Sequence, residues 1–177
     1  MFKYKKTINA FVLAAMTFFI SCGQSADNKS DSKESLPAEK IETTVPGIEK
    51  LAFTDSIQLQ ANDNMRFDKE LFRVRAGEKI TLIFKNTSAK SATSMTHNVV
   101  ILQSGVDIAD FADVARNAKT EQYVPSSLDS LIIAHTRLVG GGDSDQVEFV
   151  IPKPGVYDFI CSFPGHWGTM QGKIVAG

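Results

Sequence analysis

From about Leu51 onward, apolar residues alternate with polar ones in short runs: Ile57 and Leu59; Phe72 and Val74; Ile80, Leu82 and Phe84; Val99 and Ile101; Val147, Phe149 and Ile151; Tyr157, Phe159 and Cys161. Successive side chains of an extended strand leave opposite faces, so each run predicts a strand with one buried face. Turn-forming residues punctuate the runs, Ala76-Gly77-Glu78 between two of them and Pro152 to Gly155 between another two. Short half-buried strands spaced in this way predict an all-β sandwich. One segment departs from the pattern. Ile108, Phe111, Ala112 and Ala115 recur at helical spacing behind Asp107, a residue suited to an N-cap, and predict a short helix with one buried face. The stretch from there to about Ser130 has no clean period and reads as a loop covering one edge.

The chain ahead of these runs has a different character. Residues 1–21 carry Lys3, Lys5 and Lys6, no acid, and an apolar run from Ala10 to Ile20, which predicts a secretory signal peptide too short for an ordinary membrane span. Phe19-Ile20-Ser21-Cys22-Gly23 resembles a bacterial lipobox, in which Cys22 would be acylated and become the first residue of the mature protein. The competing reading is simple cleavage near Ser25 or Ala26, which would remove Cys22. Residues 22–50 are rich in Ser, Asp, Lys, Glu and Asn up to about Thr44, a composition that reads as a disordered tether. Residues 51–177 remain, about 125 of them, enough for one domain with a single core.

Charge narrows the function. The chain has 19 basic and 20 acidic residues. Removing the three leader lysines leaves a modestly acidic domain, which excludes a general electrostatic affinity for nucleic acid. Cysteine narrows it further. An exported protein with one cysteine in its globular part has no internal disulfide and must use or protect that thiol.

The run Cys161-Ser162-Phe163-Pro164-Gly165-His166-Trp167-Gly168-Thr169-Met170 places a thiolate, an imidazole and a thioether on one loop. With a second imidazole, for which His97 is the candidate, the set becomes two His, one Cys and a weak axial Met, the ligand combination of blue-copper electron-transfer sites. Cys161 falls on the inward parity of its strand, and Pro164-Gly165 reverses the chain so that His166 returns to the same point. Asn98 is placed to tie the His97 strand to the Cys161 loop, and backbone N–H groups near Asn98 and Phe163 are placed to donate to the sulfur. A hydrolase is disfavoured, because Cys161 and His166 lack a third orienting group and an oxyanion donor arrangement. Three histidines in total leave too few ligands for a copper enzyme with a second metal, and a Met ligand argues against structural zinc. The competing function is a periplasmic chaperone or buffer carrying Cu(I).

The run Tyr157 to Gly172 resembles the ligand loop of azurins, with Cys-x4-His-x3-Met spacing around Phe163-Pro164-Gly165. Asn62 to Phe67, the His97-Asn98 pair, and Ile133 to Gly140 resemble azurin segments in the same order, so the likeness covers about Ser56 to Gly177. It is specific to azurins and the related auracyanins. The resemblance implies a cupredoxin-like Greek-key sandwich of about eight strands with one short helical flap, and a mobile, non-enzymatic carrier of single electrons. It implies one copper per chain, with His97, Cys161 and His166 as equatorial ligands and Met170 as the weak axial one. Met65, Met95, Phe163, Pro164 and Trp167 would ring the exposed edge of His166 as an apolar docking patch. His135 matches a histidine that is not a ligand.

Three departures matter. No cysteine stands in the early strands, where azurins commonly carry a disulfide. Thr96 occupies a position where azurins have a glycine whose carbonyl lies near copper, and its β-branch restricts the backbone there. Trp167 follows the exposed histidine where azurins often have something smaller. The expected partners are c-type cytochromes or a terminal oxidase or reductase, with the membrane engaged through lipid on Cys22. The expected location is the periplasmic side of the cell envelope, and the domain is expected to be monomeric.

Overall fold

The computed structural model describes residues 45–89 and 95–177. The signal peptide, the lipobox with Cys22 and the tether up to residue 44 lie outside the described residues. The last part of the segment assigned to the tether is described. It forms a turn and a 3-10 helix, Ile48–Lys50, and Arg73 donates from Nη1 to the Leu51 carbonyl at 3.4 Å just beyond it.

Among the described residues eight strands form two sheets: β1 (Ser56–Ala61), β2 (Leu71–Val74), β3 (Lys79–Asn86), β4 (Val100–Leu102), β5 (Ile132–His135), β6 (Ser144–Val150), β7 (Gly155–Ile160) and β8 (Gln171–Ala176). One sheet has the order β1-β3-β6 and the other β2-β8-β7-β4-β5. The pairs β1 with β3 and β2 with β8 are parallel. All other neighbours are antiparallel. This is the Greek-key β-sandwich that the alternating runs and the family resemblance imply.

The alternation sets the core directly. Ile57, Leu59 and Ala61 of β1, Phe72 and Val74 of β2, and Ile80, Leu82 and Phe84 of β3 are buried while most of their neighbours are not. The β1 and β3 residues face Phe72 and Val74, together with Tyr157, Phe159 and Ile174, from the other sheet in one cluster. Phe67 knits the layers, lying edge-on to Phe84 at 6.1 Å and tilted against Phe159 at 5.5 Å. Each such side chain contributes on the order of 1.5–3 kcal/mol by leaving water.

β4 breaks the alternation, because Val100, Ile101 and Leu102 are all buried. Ile101 faces the sandwich, whereas Val100 and Leu102 face a second cluster with Phe111, Ala115, Val124 and Ile160. A strand covered on both faces reads as a continuous apolar run. The cover is the predicted helix α1 (Ile108–Ala115), whose buried residues are Phe111, Ala112 and Ala115 and whose Asp107 carboxylate accepts from the N–H groups of Ala109 and Asp110. The stretch read as a loop contains two 3-10 segments, Lys119–Glu121 and Ser126–Leu131. Together these elements form the helical flap.

Candidate metal centre

The β7 to β8 connection is closed at its base, where the Cys161 N–H donates to the Met170 carbonyl at 2.9 Å. Cys161 is one residue past β7 and keeps the inward parity of Tyr157 and Phe159, so its thiol is fully buried. Inside the loop the His166 N–H donates to Phe163 O at 3.0 Å, and the N–H groups of Thr169 and Met170 both donate to His166 O. Gly165 carries the left-handed backbone this turn requires, at φ 84°. The loop therefore returns His166 over Cys161 and buries Met170 in the same cluster as the thiol.

His97 arrives from the other side of the chain. It exchanges two backbone hydrogen bonds with Val139, at 3.0 and 2.7 Å. Asn86 holds both segments, donating from Nδ2 to Met95 O at 2.7 Å and to Val139 O at 2.9 Å. Sequence reasoning missed Asn86. The signal was its position, a polar residue continuing the inward parity of Ile80, Leu82 and Phe84.

Three donor atoms converge. His97 Nδ1 and His166 Nδ1 are 3.1 Å apart, and Cys161 Sγ lies 3.9 Å from the first and 3.6 Å from the second. The circle through a triangle of these sides has a radius of about 2.1 Å, matching metal–imidazole bonds of about 2.0–2.1 Å and approaching the roughly 2.3 Å of zinc–thiolate bonds. Two ring nitrogens this close must share a proton or both turn lone pairs toward a cation.

The electrostatics keep both rings in the neutral form. Burial, then the neighbouring His166, pushes His97 down to about 4, against an opposing pull from Asp63. Burial lowers His166 as well. Both imidazoles are therefore neutral near pH 7, the form in which they ligate. Burial pushes the Cys161 thiol up to about 11, countered by the backbone N–H groups of Asn98 and Phe163 that bond its sulfur. A thiol held that high deprotonates only when a cation takes the proton's place. Two neutral imidazoles and one sulfur suit copper by donor softness.

Asn98 ties the two ligand segments together. Its Nδ2 donates to Ser162 Oγ at 2.8 Å, and the Ser162 N–H donates to its Oδ1 at 2.9 Å. Thr136 braces the same strand, with Oγ1 accepting from the Val99 N–H at 3.0 Å. Ser162 and Thr136, both buried, were not legible as site residues because nothing in their spacing sets them apart.

The remaining candidates lie around this centre. Met65 packs partly buried against the main core, and its carbonyl accepts from Thr169 Oγ1 at 2.9 Å. Met95 and Thr96 are partly buried just ahead of His97. Phe163 stacks on His166 with ring centres 4.7 Å apart. Pro164 is exposed. Trp167 packs against the second cluster, so its ring is shared between the ligand loop and the flap. His135 is exposed and stands apart from the three-residue cluster.

An eight-stranded Greek-key sandwich with a buried His-Cys-His triangle at one end defines a blue-copper protein of the cupredoxin class. Residues 54–177 match the family described as copper binding proteins, plastocyanin/azurin family, and the chain belongs to that family. An azurin of Alcaligenes faecalis is 34% identical over 125 residues, covering 68% of this chain and 97% of the relative. The outer membrane protein H.8 of Neisseria gonorrhoeae is 34% identical over 119 residues, 66% of this chain and 64% of the relative. Among solved structures, auracyanin A, a "blue" copper protein from Chloroflexus aurantiacus, superposes with a TM-score of 0.63 at 34% identity over 69% of this chain and 98% of that one. The chain is a blue-copper electron carrier with one copper site.

Proposed function

We propose that this chain shuttles single electrons between redox proteins on the periplasmic side of the cell envelope and is not an enzyme. The observation that supports it best is the convergence of His97 Nδ1, His166 Nδ1 and Cys161 Sγ inside a hydrogen-bonded frame. Copper supplies the one-electron couple when bound. The chain's own residues keep the donors in place: Asn86 fixes the His97 segment, Asn98 and Ser162 fix the thiolate, and the Cys161 to Met170 bond fixes the loop. Donors that cannot rearrange keep nearly one geometry for both oxidation states, which lowers the barrier to transfer.

Met170, fully buried beside the thiol, is the weak axial donor in this reading, and the Thr96 carbonyl is a candidate for the opposite side. Met65, Met95, Phe163, Pro164 and Trp167 form the docking patch. Its partners are c-type cytochromes or a terminal oxidase or reductase. Cu(I) cargo handling is disfavoured, because cargo exchange needs accessible ligands and both Cys161 and Met170 are fully buried.

Lipid on Cys22, with residues 22–44 as tether, holds the monomeric domain at a membrane. The relative named as an outer membrane protein supports that placement. Cys22→Ser should release the protein from membranes, and continued association would remove the anchor. The visible and electron-paramagnetic spectra of the protein loaded with Cu(II) test the central reading. An intense visible band with narrow copper hyperfine splitting is expected. A colourless protein that binds Cu(I) alone and yields it to chelators would overturn it.

A further inference from the structure

Two consecutive residues of the flap, Gln122 at φ 55° and Tyr123 at φ 62°, adopt the left-handed backbone that side chains other than glycine rarely enter. Such outliers persist only where surrounding contacts hold them, and they cluster at functional places. The side-chain contacts here and the Gln122 carbonyl lead to the ligand segments. The Gln122 carbonyl accepts from Asn98 Nδ2 at 3.4 Å, and its Oε1 accepts from the Leu138 N–H at 2.8 Å. Leu138 directly precedes Val139, the backbone partner of His97. The Tyr123 ring stands edge-on to Phe163 at 5.0 Å and 71°. Phe163 in turn lies on the His166 ring at 4.7 Å, and His166 on the His97 ring at 4.9 Å. The turn itself is pinned by the N–H groups of Tyr123 and Glu121, which both donate to Ala118 O, at 2.9 and 3.0 Å.

We propose that the Gln122-Tyr123 turn is a clamp by which the flap positions both histidine ligands, with Tyr123 acting through Phe163 on the His166 ring. This deepens the copper reading and rests on it. His97 is held from behind by Asn86 and Val139, whereas His166 sits on a loop whose own hydrogen bonds fix the backbone; its ring meets His97 and Cys161 through Nδ1, and the ring face is set by packing. Phe163 supplies that packing, and Tyr123 stops Phe163 from swinging away. The strained backbone is the cost of bringing a flap residue to this point. The Tyr123 ring does the positioning through its edge-on contact with Phe163.

The test compares Tyr123→Ala with Tyr123→Phe in the full chain. An edge-to-face ring pair corresponds to a factor of about 2 to 12 in an equilibrium. Tyr123→Ala should therefore hold copper more weakly in competition with a chelator by that order, while Tyr123→Phe behaves as the parent. In the copper-free protein, the His166 ring resonances of Tyr123→Ala should shift and broaden while those of Tyr123→Phe match the parent. Unaltered His166 resonances and copper affinity in Tyr123→Ala would overturn the clamp. So would a Tyr123→Phe protein as impaired as Tyr123→Ala. If the parent forms no blue site, the copper reading falls, and the copper-free ring resonances still judge the clamp.

Discussion

Asn98 and Ser162 exchange hydrogen bonds in both directions, side chain to side chain at 2.8 Å and backbone to side chain at 2.9 Å, across 64 residues of sequence. Each follows a donor residue directly, Asn98 after His97 and Ser162 after Cys161. These side-chain bonds therefore fix the distance between an imidazole and the thiol. The Asn98 N–H completes the arrangement by bonding the sulfur itself.

Asn98→Ala keeps that backbone bond and removes the side-chain ones. It leaves the buried Ser162 N–H without an acceptor, a loss of about 1–3 kcal/mol. The expected result is a lower denaturation midpoint and faster copper loss with the visible band still present. An unchanged midpoint would show that the pair does not hold the two segments together.

Cys161→Ser tests the thiolate. A hydroxyl fits the space, so the sandwich should fold, but the sulfur-to-copper charge transfer disappears. The absorption spectrum after copper loading should show no intense visible band. Retention of that band would rule out Cys161 as a ligand.

The copper-free protein should weaken in mild acid. His97 ordinarily titrates at 6.5 and is held down at about 4 in the fold. Below about pH 6.5 the unfolded chain takes up a proton that the folded chain refuses. Stability is thus full above that pH and falls toward pH 4, with a slope approaching about 1.4 kcal/mol per pH unit. His166, also lowered by burial, acts in the same direction. Denaturant midpoints at pH 7 and pH 5 check this, and equal values would contradict it.

Gly172 tests the packing behind the site. A Cβ there would overlap Phe159 Cζ and lie 2.6 Å from the Glu70 carbonyl oxygen. Gly172→Ala should therefore destabilise by about 1–3 kcal/mol or more, since overpacked cores yield poorly. A thermal midpoint equal to the parent's would mean that β8 shifts freely.

The main sheet faces were legible because burial on one side imposes a period of two, and Ile57, Phe84 and Phe159 all obey it. β4 was half legible. Val99 and Ile101 fit the alternation, but Val100 and Leu102 are buried by the flap, a layer whose placement no local pattern announces. The clustering of His97, Cys161 and His166 was legible for a chemical reason, as Cys161 and His166 share one loop and few other residues bind soft metals. What holds the donors was harder to see. Asn98 sits beside a ligand and drew notice, whereas Asn86, Ser162 and the Gln122-Tyr123 turn act from remote positions through contacts that exist only once the chain has folded.

The parallel pairing of β2 with β8 joins Leu71 to Lys173, and His97 precedes Cys161 by 64 residues. Pairings this distant in sequence form slowly. As the chain is synthesised, the first imidazole waits for its thiolate, and the sheet beneath both waits for β8. Until β8 is in place the three donor atoms have no shared frame, so the closed His97, Cys161 and His166 triangle reports that the whole sandwich has assembled.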